Sequence, residues 1–447
     1  MDVCIIGAGY VGLVSGACLA ERGHHVVCVD LDPAKADIIN NGTSPFHEPG
    51  LDELLAQCQG RLSATTDLAS AVQNAELTMI AVGTPFDGST IDLTYIRNAA
   101  RQIGEALRGT DARHTVVVKS TVVPGTTANV VRPILEEASG RTVGPTLGLG
   151  MNPEFLTEGV AVRDFQNPDR IVLGGCDEAS IDDLERLYES FAGVPFVRTN
   201  PTTAEMIKYS SNSVLALLIS FSNEMAALCA AVGDTDASEV MAALHLSQYF
   251  AVPKADGGVA KAPITSFLEP GCGFGGSCLP KDVAALAAHG AALGVDMRLL
   301  SDVLTVNKEQ PAKTVAMVAD GLGGLGGRRV AVLGLAFKPD TDDVRESPAF
   351  PIIRQLVAGG AHVVAHDPVA IPTFSSAFGT DDAVTFEADL RRTLTGADAV
   401  VLVTRWDHYR ELDTDLAELG ADPFVVDGRR LLDPSRFNRF AAIGRSA

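Results

Sequence analysis

A glycine-rich turn near the start of the chain constrains the fold more than any other feature. The short apolar run Val3–Ile6 is followed directly by Gly7-Ala8-Gly9-Tyr10-Val11-Gly12, and a helix-like segment comes next. The first glycine permits a tight turn, the second lets the backbone approach a pyrophosphate, and the third lets the helix pack against the strand. The pattern therefore predicts a buried strand of a parallel sheet followed by a turn and a helix, whose N-terminus binds the phosphates of a dinucleotide.

An acidic residue indicates which dinucleotide this is. Asp30 closes the next apolar run, His25–Val29, at the usual distance from the glycines. A carboxylate at that place hydrogen-bonds the ribose hydroxyls and repels a 2′-phosphate, which favours NAD over NADP. The alternative interpretation is a glycine turn that binds no ligand.

The same alternation of apolar runs and helix-like segments occurs in two parts of the chain. Leu77–Val82 and Thr115–Lys119 continue the first series, and a second series begins at Arg329. Such alternation is typical of parallel sheets covered by helices on both faces. The predicted fold class is α/β, with two Rossmann-like doubly wound domains, residues 1–200 and 328–447.

The middle of the chain has a helical pattern. Apolar residues recur at helical spacing through Met206–Val232, and Thr202 with Glu205 has the spacing of a capping box at the start of this helix. Gly321–Gly327 is typical of a flexible linker. A helical central domain, residues 201–320, with a long connecting helix is therefore expected to join the two outer domains.

Charge and cysteine usage exclude several classes of function. The formal net charge is -21, whereas nucleic acids and anionic membranes require a basic face on the protein. The eight cysteines show no zinc-binding spacing, so no metal site is expected. No membrane span or targeting segment is recognised, and a reducing cytoplasm is the expected location.

The most unusual segment runs from Gly271 to Asp282, Gly-Cys-Gly-Phe-Gly-Gly-Ser-Cys-Leu-Pro-Lys-Asp. Its glycines leave Cys278 accessible, and Lys281 lies close by in sequence. Because a nearby cation favours the thiolate, Cys278 is a candidate nucleophile. On these residues alone, an exposed cysteine with a structural role remains the simpler interpretation.

Several motifs in the same order give the chain a family resemblance. It resembles the UDP-glucose/GDP-mannose 6-dehydrogenase family along essentially its full length. The motifs are Gly7–Gly12, Val82–Pro85, Lys119–Thr121, Asn152–Glu158, Lys208–Asn212, Gly275–Asp282, and Phe337–Lys338 with Arg345–Ser347.

The resemblance implies a four-electron oxidation of the C6 alcohol of a nucleotide sugar to a carboxylate. Cys278 would attack the intermediate aldehyde and form a thiohemiacetal, which loses a second hydride and becomes a thioester that water hydrolyses. Lys208 and Asn212, which lie four residues apart on one helical face, match the lysine and asparagine that stabilise the oxyanion in this family. Asp282, with Thr121 and Glu154, would orient or activate water.

The resemblance also implies two sets of binding residues. Those expected at the cofactor NAD are Gly7, Gly9, Tyr10, Val11, Gly12, Asp30, Lys35, Thr84, Pro85, Thr121, Glu158, Lys281 and Arg345. Those expected at the nucleotide sugar are Glu154, Phe155, Leu156, Lys208, Asn212, Phe267, Leu268, Gly271, Gly273, Gly275, Phe337, Lys338 and Arg429.

Two positions depart from the family patterns that select the sugar. Ala262 stands where UDP-glucose dehydrogenases carry an arginine, and Glu269 lies where GDP-mannose dehydrogenases place one. Trp406-Asp407 is more similar to the UDP-glucose branch. UDP-glucose is the first expectation, with GDP-mannose or a UDP-N-acetylhexosamine as alternatives.

Two other functions fit parts of the pattern. A two-electron 3-hydroxyacid-type dehydrogenase would also combine an NAD-binding domain with the Lys208 and Asn212 helix, and an NAD-sensing scaffold would keep the fold without turnover. Cys278 and the second α/β domain argue against the two-electron enzyme. The complete set of Glu154, Lys208, Asn212, Cys278 and Asp282 argues against the scaffold. The resemblance and the long helix also lead us to expect a homodimer or a larger homo-oligomer.

Overall fold

The computed structural model describes residues 1–254 and 257–445. The chain divides into two compact units, one from Met1 to Ser211 and the other from Asn212 onward. Each unit contains a largely or wholly parallel sheet with helices, and the second unit also contains the helical region, so the predicted α/β fold class is confirmed. The predicted division into three domains is finer than this one and stays a prediction.

The first unit is built on a single sheet in the order β3-β2-β1-β4-β5-β6-β7-β8. Its strands are β1 (Asp2–Ile6), β2 (His25–Val29), β3 (Leu62–Thr65), β4 (Leu77–Ile80), β5 (His114–Val118), β6 (Leu147–Met151), β7 (Ile171–Gly175) and β8 (Phe196–Thr199). The helices are α1 (Tyr10–Glu21), α2 (Pro33–Asn40), α3 (Leu51–Gln57), α4 (Leu68–Gln73), α5 (Thr94–Leu107), α6 (Arg132–Ser139), α7 (Ala161–Gln166) and α8 (Glu178–Leu187). Neighbouring strands are parallel except β6 and β7, which pair antiparallel.

Strand β1 shows why the opening run is wholly apolar. Val3 and Ile5 belong to the hydrophobic core on one face of the sheet, and Cys4 and Ile6 belong to the core on the other face. Side chains alternate between the faces of a strand, and helices cover both faces here, so Val3–Ile6 are buried and only Asp2, at the start of the strand, is exposed. The predicted run His25–Val29 coincides with β2.

The long helix α9 extends over Pro201–Val232. It begins five residues before the predicted pattern, and the predicted capping box of Thr202 with Glu205 is wrong. The side chain of Asn200 accepts a hydrogen bond from the backbone N–H of Thr203 (2.9 Å), as a cap does.

Glu205 instead stabilises a loop far away in sequence. Its buried carboxylate accepts hydrogen bonds from the backbone N–H groups of Gly125 (2.5 Å) and Thr127 (2.8 Å). Burial raises the pKa of Glu205, and these hydrogen bonds act in the opposite direction. The sequence contains no local signal for this contact, since its partners are about 80 residues away.

The apolar character of α9 is greater than the sequence analysis recognised. By length and composition alone this helix could cross a membrane, and 28% of its most apolar window is buried. Large apolar side chains remain exposed along it: Met206, Val214, Phe221, Leu228 and Val232. Their spacing of four to eight residues places them along one stripe of the helix.

The second unit contains a six-stranded, wholly parallel sheet in the order β13-β12-β11-β14-β15-β16 and a separate antiparallel hairpin, β9-β10. The strands are β9 (Ala251–Pro253), β10 (Val259–Lys261), β11 (Arg329–Leu333), β12 (His362–His366), β13 (Val384–Phe386), β14 (Ala399–Leu402), β15 (Phe424–Asp427) and β16 (Phe440–Ala442). The helices are α10 (Ala237–His245), α11 (Leu279–Ala292), α12 (Arg298–Leu322), α13 (Ala349–Ala358), α14 (Ile371–Phe378), α15 (Leu390–Leu394) and α16 (Leu412–Leu419).

The predicted linker Gly321–Gly327 is wrong at its start. Helix α12 continues through Leu322 and ends at Gly323, whose φ of 66° is left-handed. Gly321 lies inside the helix, and the ring of Phe424 packs directly against it. A Cβ on Gly321 would lie 2.0 Å from a carbon of that ring. This glycine is required by packing rather than by flexibility.

Candidate active site

The three glycines after β1 have the three geometric roles that the sequence predicts. Gly7 has a φ of 102°, and a Cβ on it would lie 2.6 Å from the carbonyl oxygen of Ala81. A Cβ on Gly12 would lie 1.9 Å from the oxygen of Gly7, so the helix packs tightly on the turn. No atom lies within 4 Å of a Cβ built on Gly9, which leaves that place open to a ligand. Tyr10 begins α1 directly after it.

This turn lies at the topological switch point of the first sheet. Strand β1 lies between β2 and β4, and ligands of such sheets bind outside the carboxyl ends of the strands at this place. Asp30 follows β2, accepts a hydrogen bond from the N–H of Ala8 (3.1 Å), and lies 3.8 Å from the Nζ atom of Lys35. Its side chain remains 15% exposed, so the carboxylate can still accept hydrogen bonds from ribose hydroxyls.

The second sheet has the same strand order around β11 but a different use of the equivalent acid. Asp367 follows β12 and is buried. Its two oxygens accept hydrogen bonds from the N–H groups of Leu335, Ala336, Val369 and Ala370 and from Nε1 of Trp406. A carboxylate saturated in this way cannot bind a ribose, so the geometry assigns the dinucleotide to the first unit.

Segment Asn152–Glu158, which follows β6, carries a buried ion pair. Oε1 of Glu154 lies 2.9 Å from Nζ of Lys208, and both side chains are less than a tenth exposed. The N–H of Leu156 donates to the other oxygen of Glu154 (2.6 Å), and the Lys208 ammonium lies over the Phe155 ring at 5.5 Å. The first unit thus brings together four of the residues predicted at the sugar.

Electrostatics keep the Glu154 carboxylate ionised. Burial alone would raise its pKa, but the charge and hydrogen bond of Lys208, with smaller contributions from Leu156 and Lys119, hold the pKa below its usual value. Burial lowers the pKa of Lys119 to about 8, and its Nζ donates to the side chain of Asn152 (2.8 Å). A negative charge and two lysines therefore share this buried region.

The remaining predicted cofactor residues of the first unit lie around its strand ends. The hydroxyl of Thr84 donates to the carbonyl oxygen of Thr121 (2.8 Å), which joins the loops after β4 and β5. Thr121 and Glu158 are half-buried and Pro85 is exposed.

Glu48 is a buried residue of this region that the sequence analysis missed. Its carboxylate accepts hydrogen bonds from the hydroxyl of Tyr10 and from the N–H groups of Gly159 and Ala161 (2.7 Å each). Burial, and secondarily the Glu48 carboxylate, raise the pKa of Tyr10, so its hydroxyl stays a donor. Glu48 therefore ties the start of α1 to the segment that carries Glu154 and Glu158.

In the second unit, Cys278 lies directly before α11. Its side chain is exposed, whereas residues 271–276 of the glycine-rich loop are buried. Helix α11 has 14 residues, and the positive end of its dipole favours a thiolate at this position. Burial raises the pKa of six other cysteine thiols, which stay protonated: Cys4, Cys18, Cys28, Cys58, Cys176 and Cys272.

Asp282 lies one turn into α11 and is buried. Its carboxylate accepts hydrogen bonds from Nδ2 of Asn212 (2.6 Å) and from Nζ of Lys281 (2.5 Å), and its own N–H donates to the carbonyl oxygen of Cys278 (2.8 Å). Four predicted residues, Asn212, Cys278, Lys281 and Asp282, are therefore adjacent in the second unit.

The glycine-rich loop packs against the C-terminal sheet region. A Cβ on Gly275 would lie 2.2 Å from the oxygen of Glu346, and one on Gly271 would lie 3.1 Å from Nη1 of Arg429. The ring of Phe337 lies against Gly276, whose N–H donates to the oxygen of Arg345 (2.9 Å). The predicted residues Phe337, Arg345 and Arg429 thus contact the loop that contains the predicted residues Gly271, Gly273 and Gly275.

Upstream of that loop, Leu268 is buried and Phe267 is half-buried at the end of a short helical turn. Glu269, one of the two departures from the family patterns, forms an ion pair with Arg405, which follows β14. Lys338 is half-buried after β11. No group of three or more potential metal ligands occurs among the described residues.

Comparison with known proteins gives the same assignment of regions. Three family models of the UDP-glucose/GDP-mannose dehydrogenase family match: the NAD binding domain at residues 1–192, the central domain at 202–309 and the UDP binding domain at 331–434. The chain belongs to the UDP-glucose/GDP-mannose dehydrogenase family. The predicted family and cofactor NAD are thereby confirmed, and the chain is an NAD-dependent nucleotide-sugar dehydrogenase.

Individual relatives are similar over nearly the whole chain. UDP-glucose 6-dehydrogenase AglM of Haloferax volcanii is 42% identical over 97% of both chains. GDP-mannose 6-dehydrogenase of Pseudomonas syringae pv. tomato is 39% identical over 97% of this chain and 95% of its own. A solved UDP-glucose dehydrogenase from Pyrobaculum islandicum has a TM-score of 0.89 and 37% identity, covering 99% of this chain and 98% of that one.

The buried pair of Glu154 and Lys208 makes a pH-dependent prediction. In Lys208→Met, the effect of burial on Glu154 is opposed only by the hydrogen bond from Leu156 and the charge of Lys119, which are weaker. The pKa of Glu154 should therefore rise. A single buried charge without its partner should reduce the free energy of unfolding by about 3 kcal/mol near neutral pH. The loss should shrink in mild acid, where Glu154 becomes protonated and neutral.

Urea denaturation near neutral pH and in mild acid measures this loss in the free energy of unfolding. Lys35→Met is the control, because Lys35 is 40% exposed and lies 3.8 Å from its partner, so it should cost less than about 1 kcal/mol. An equal loss in Lys208→Met at both pH values would contradict the electrostatic explanation.

Proposed function

We propose that the chain oxidises the C6 alcohol of UDP-glucose to the carboxylate, with two NAD molecules and Cys278 as covalent nucleophile. The observation that carries this proposal is the setting of Cys278. It is exposed at the positive end of α11 and next to the buried Asp282, whereas burial keeps six other thiols protonated.

The glycine turn and Asp30 fit NAD, which accepts a hydride from C6 in each of the two oxidations. In the first, the alcohol loses a hydride and a proton and becomes an aldehyde. A free aldehyde is a poor hydride donor, so a second oxidation requires a tetrahedral adduct. The thiolate of Cys278 adds to the aldehyde carbon, whose C=O electron pair moves to the oxygen and gives the oxyanion of a thiohemiacetal. Loss of the second hydride from this oxyanion re-forms the C=O bond and yields a thioester.

In this scheme, Lys208 and Asn212 stabilise the negatively charged oxygen of the intermediate. Both side chains leave α9 one turn apart, and a cation with an amide N–H is suited to a developing negative charge. In the structure Lys208 contacts Glu154, and Asn212 contacts Asp282. These acids hold both donors in fixed orientations before substrate arrives.

Hydrolysis of the thioester requires an activated water molecule. We assign Asp282 to its orientation or deprotonation, with Glu154 and Thr121 as further polar groups. Addition of water breaks the carbon–sulfur bond and yields the carboxylate and the regenerated thiol. Glu154 is ionised at neutral pH because Lys208 lowers its pKa, and it is therefore able to accept a proton.

The identity of the nucleotide sugar rests on the comparison with relatives and on the charge of two side chains. The match of residues 331–434 to a UDP binding domain supports a uridine nucleotide, whose diphosphate suits the cationic side chains Lys338 and Arg429. GDP-mannose 6-dehydrogenases are nearly as similar as UDP-glucose 6-dehydrogenases, and Ala262 and Glu269 fit neither pattern. GDP-mannose and a UDP-N-acetylhexosamine therefore remain the alternatives to test.

We further propose that the enzyme is a cytoplasmic homodimer or a larger homo-oligomer. The stripe of Met206, Val214, Phe221, Leu228 and Val232 exposes apolar surface along α9 that a second copy would bury. Eight free cysteines are consistent with a reducing compartment. Sedimentation as a single chain, or recovery of the enzyme with membranes, would contradict this.

The stoichiometry of NADH tests the covalent mechanism. With a panel of UDP- and GDP-sugars, the wild-type enzyme should release two NADH per molecule of its substrate. Cys278→Ser should stop after the first oxidation, because a hydroxyl at this position is not ionised at neutral pH and adds poorly to the aldehyde. Cys229→Ser, at a half-buried cysteine of α9, is the control and should keep two NADH. Unchanged uronate production by Cys278→Ser would overturn the covalent mechanism.

A further inference from the structure

We propose that Asn307 is a positioning residue for the loop that presents Cys278, and that the second oxidation depends on it. This inference deepens the proposed function and rests on it. Asn307 lies on α12, 29 positions beyond the cysteine, and the sequence analysis did not single it out.

The side chain of Asn307 binds both main-chain groups of one loop residue. Its Oδ1 accepts a hydrogen bond from the N–H of Phe274 (2.7 Å), and its Nδ2 donates to the carbonyl oxygen of Phe274 (2.9 Å). The two contacts fix which end of the amide is oxygen, because a backbone N–H can only donate and a carbonyl can only accept. One amide thus substitutes for the pairing that a neighbouring strand would supply.

The place of Phe274 makes this contact important. Phe274 is 7% exposed, so its N–H and C=O cannot rely on water if Asn307 is lost. Gly273 before it has a φ of 107°, and a Cβ there would lie 3.1 Å from Oδ1 of Asn307. Gly275 and Gly276 after it have no side chains that restrict the backbone, so the path of the loop to the cysteine is set by its packing and hydrogen bonds.

The loop is also held on both sides of Phe274. The N–H of Gly271 donates to Oδ1 of Asn223 (2.7 Å) on α9, and the N–H of Gly276 donates to the oxygen of Arg345 (2.9 Å). Asn307 is the side-chain anchor between these two contacts. Helix α12, which carries Asn307, has 25 residues and contains Pro311 one turn further on.

Misplacement of the sulfur should affect the two oxidations differently. The first removes a hydride from the alcohol and does not use Cys278. The second requires the sulfur to reach the aldehyde carbon, and an error of about 1 Å in such an attack costs about 100-fold in rate. Weakening the anchor should therefore uncouple the two oxidations and release aldehyde.

The test compares Asn307→Asp and Asn307→Leu with Lys308→Ala, an exposed neighbour on the same helix. NADH per sugar is measured with hydroxylamine present to trap aldehyde. Lys308→Ala should give two NADH and no oxime. Both Asn307 variants should keep the first rate within about threefold, lose about 100-fold in the second, and approach one NADH with one oxime per sugar.

Asn307→Asp adds a readout that general loosening of the fold would not produce. Its carboxylate faces the Phe274 carbonyl oxygen and repels it, but the protonated acid can donate to that oxygen while it still accepts from the N–H. The second rate of Asn307→Asp, divided by that of the wild type, should therefore rise as the pH is lowered. Asn307→Leu should show no such rise.

Two NADH without oxime in both Asn307 variants would overturn the inference. So would equal loss of both oxidations, or a ratio for Asn307→Asp that does not change with pH. The proposed function fails separately: it is wrong if Cys278→Ser still makes uronate, whatever the Asn307 variants do.

Discussion

The chemistry proposed here depends on one steric constraint, the close packing of the glycine-rich loop before Cys278. Main-chain and ring atoms come so near to Gly275 and Gly276 that a Cβ would lie 2.2 to 2.7 Å from them. Only glycine fits at these two positions, which allows the loop to lie buried up to residue 276. The side chain of Cys278 is exposed two residues later, directly before the positive end of α11.

The two units use similar strand orders for different purposes. Asp30 and Asp367 follow equivalent strands, yet the Asp30 carboxylate is partly exposed, whereas both oxygens of Asp367 already accept hydrogen bonds from backbone N–H groups and an indole N–H. The same topology thus provides a cofactor site in one sheet and a closed, rigid turn in the other. Family membership alone would not explain this difference, which follows from counting hydrogen bonds.

Sequence predicted best where the constraint is local. The glycine turn, β2 and the two α/β series follow from patterns of a few residues. The candidate site residues were inferred from family motifs of similar length. The capping box failed because Glu205 binds Gly125 and Thr127, and Gly321 was misassigned because Phe424 packs on it. Glu48 and Asn307 were missed for the same reason, since their partners lie far away in sequence. Contacts of this kind are decided by tertiary packing, which no single-sequence pattern reports.

The most direct test of the central claim is mass spectrometry of enzyme quenched in acid during turnover, with and without the Asp282→Asn substitution that should slow hydrolysis. We expect the peptide containing Cys278 to carry the mass of the oxidised sugar nucleotide as a thioester, and the adduct to be more abundant in Asp282→Asn. An unmodified Cys278 in both enzymes while uronate accumulates would contradict it.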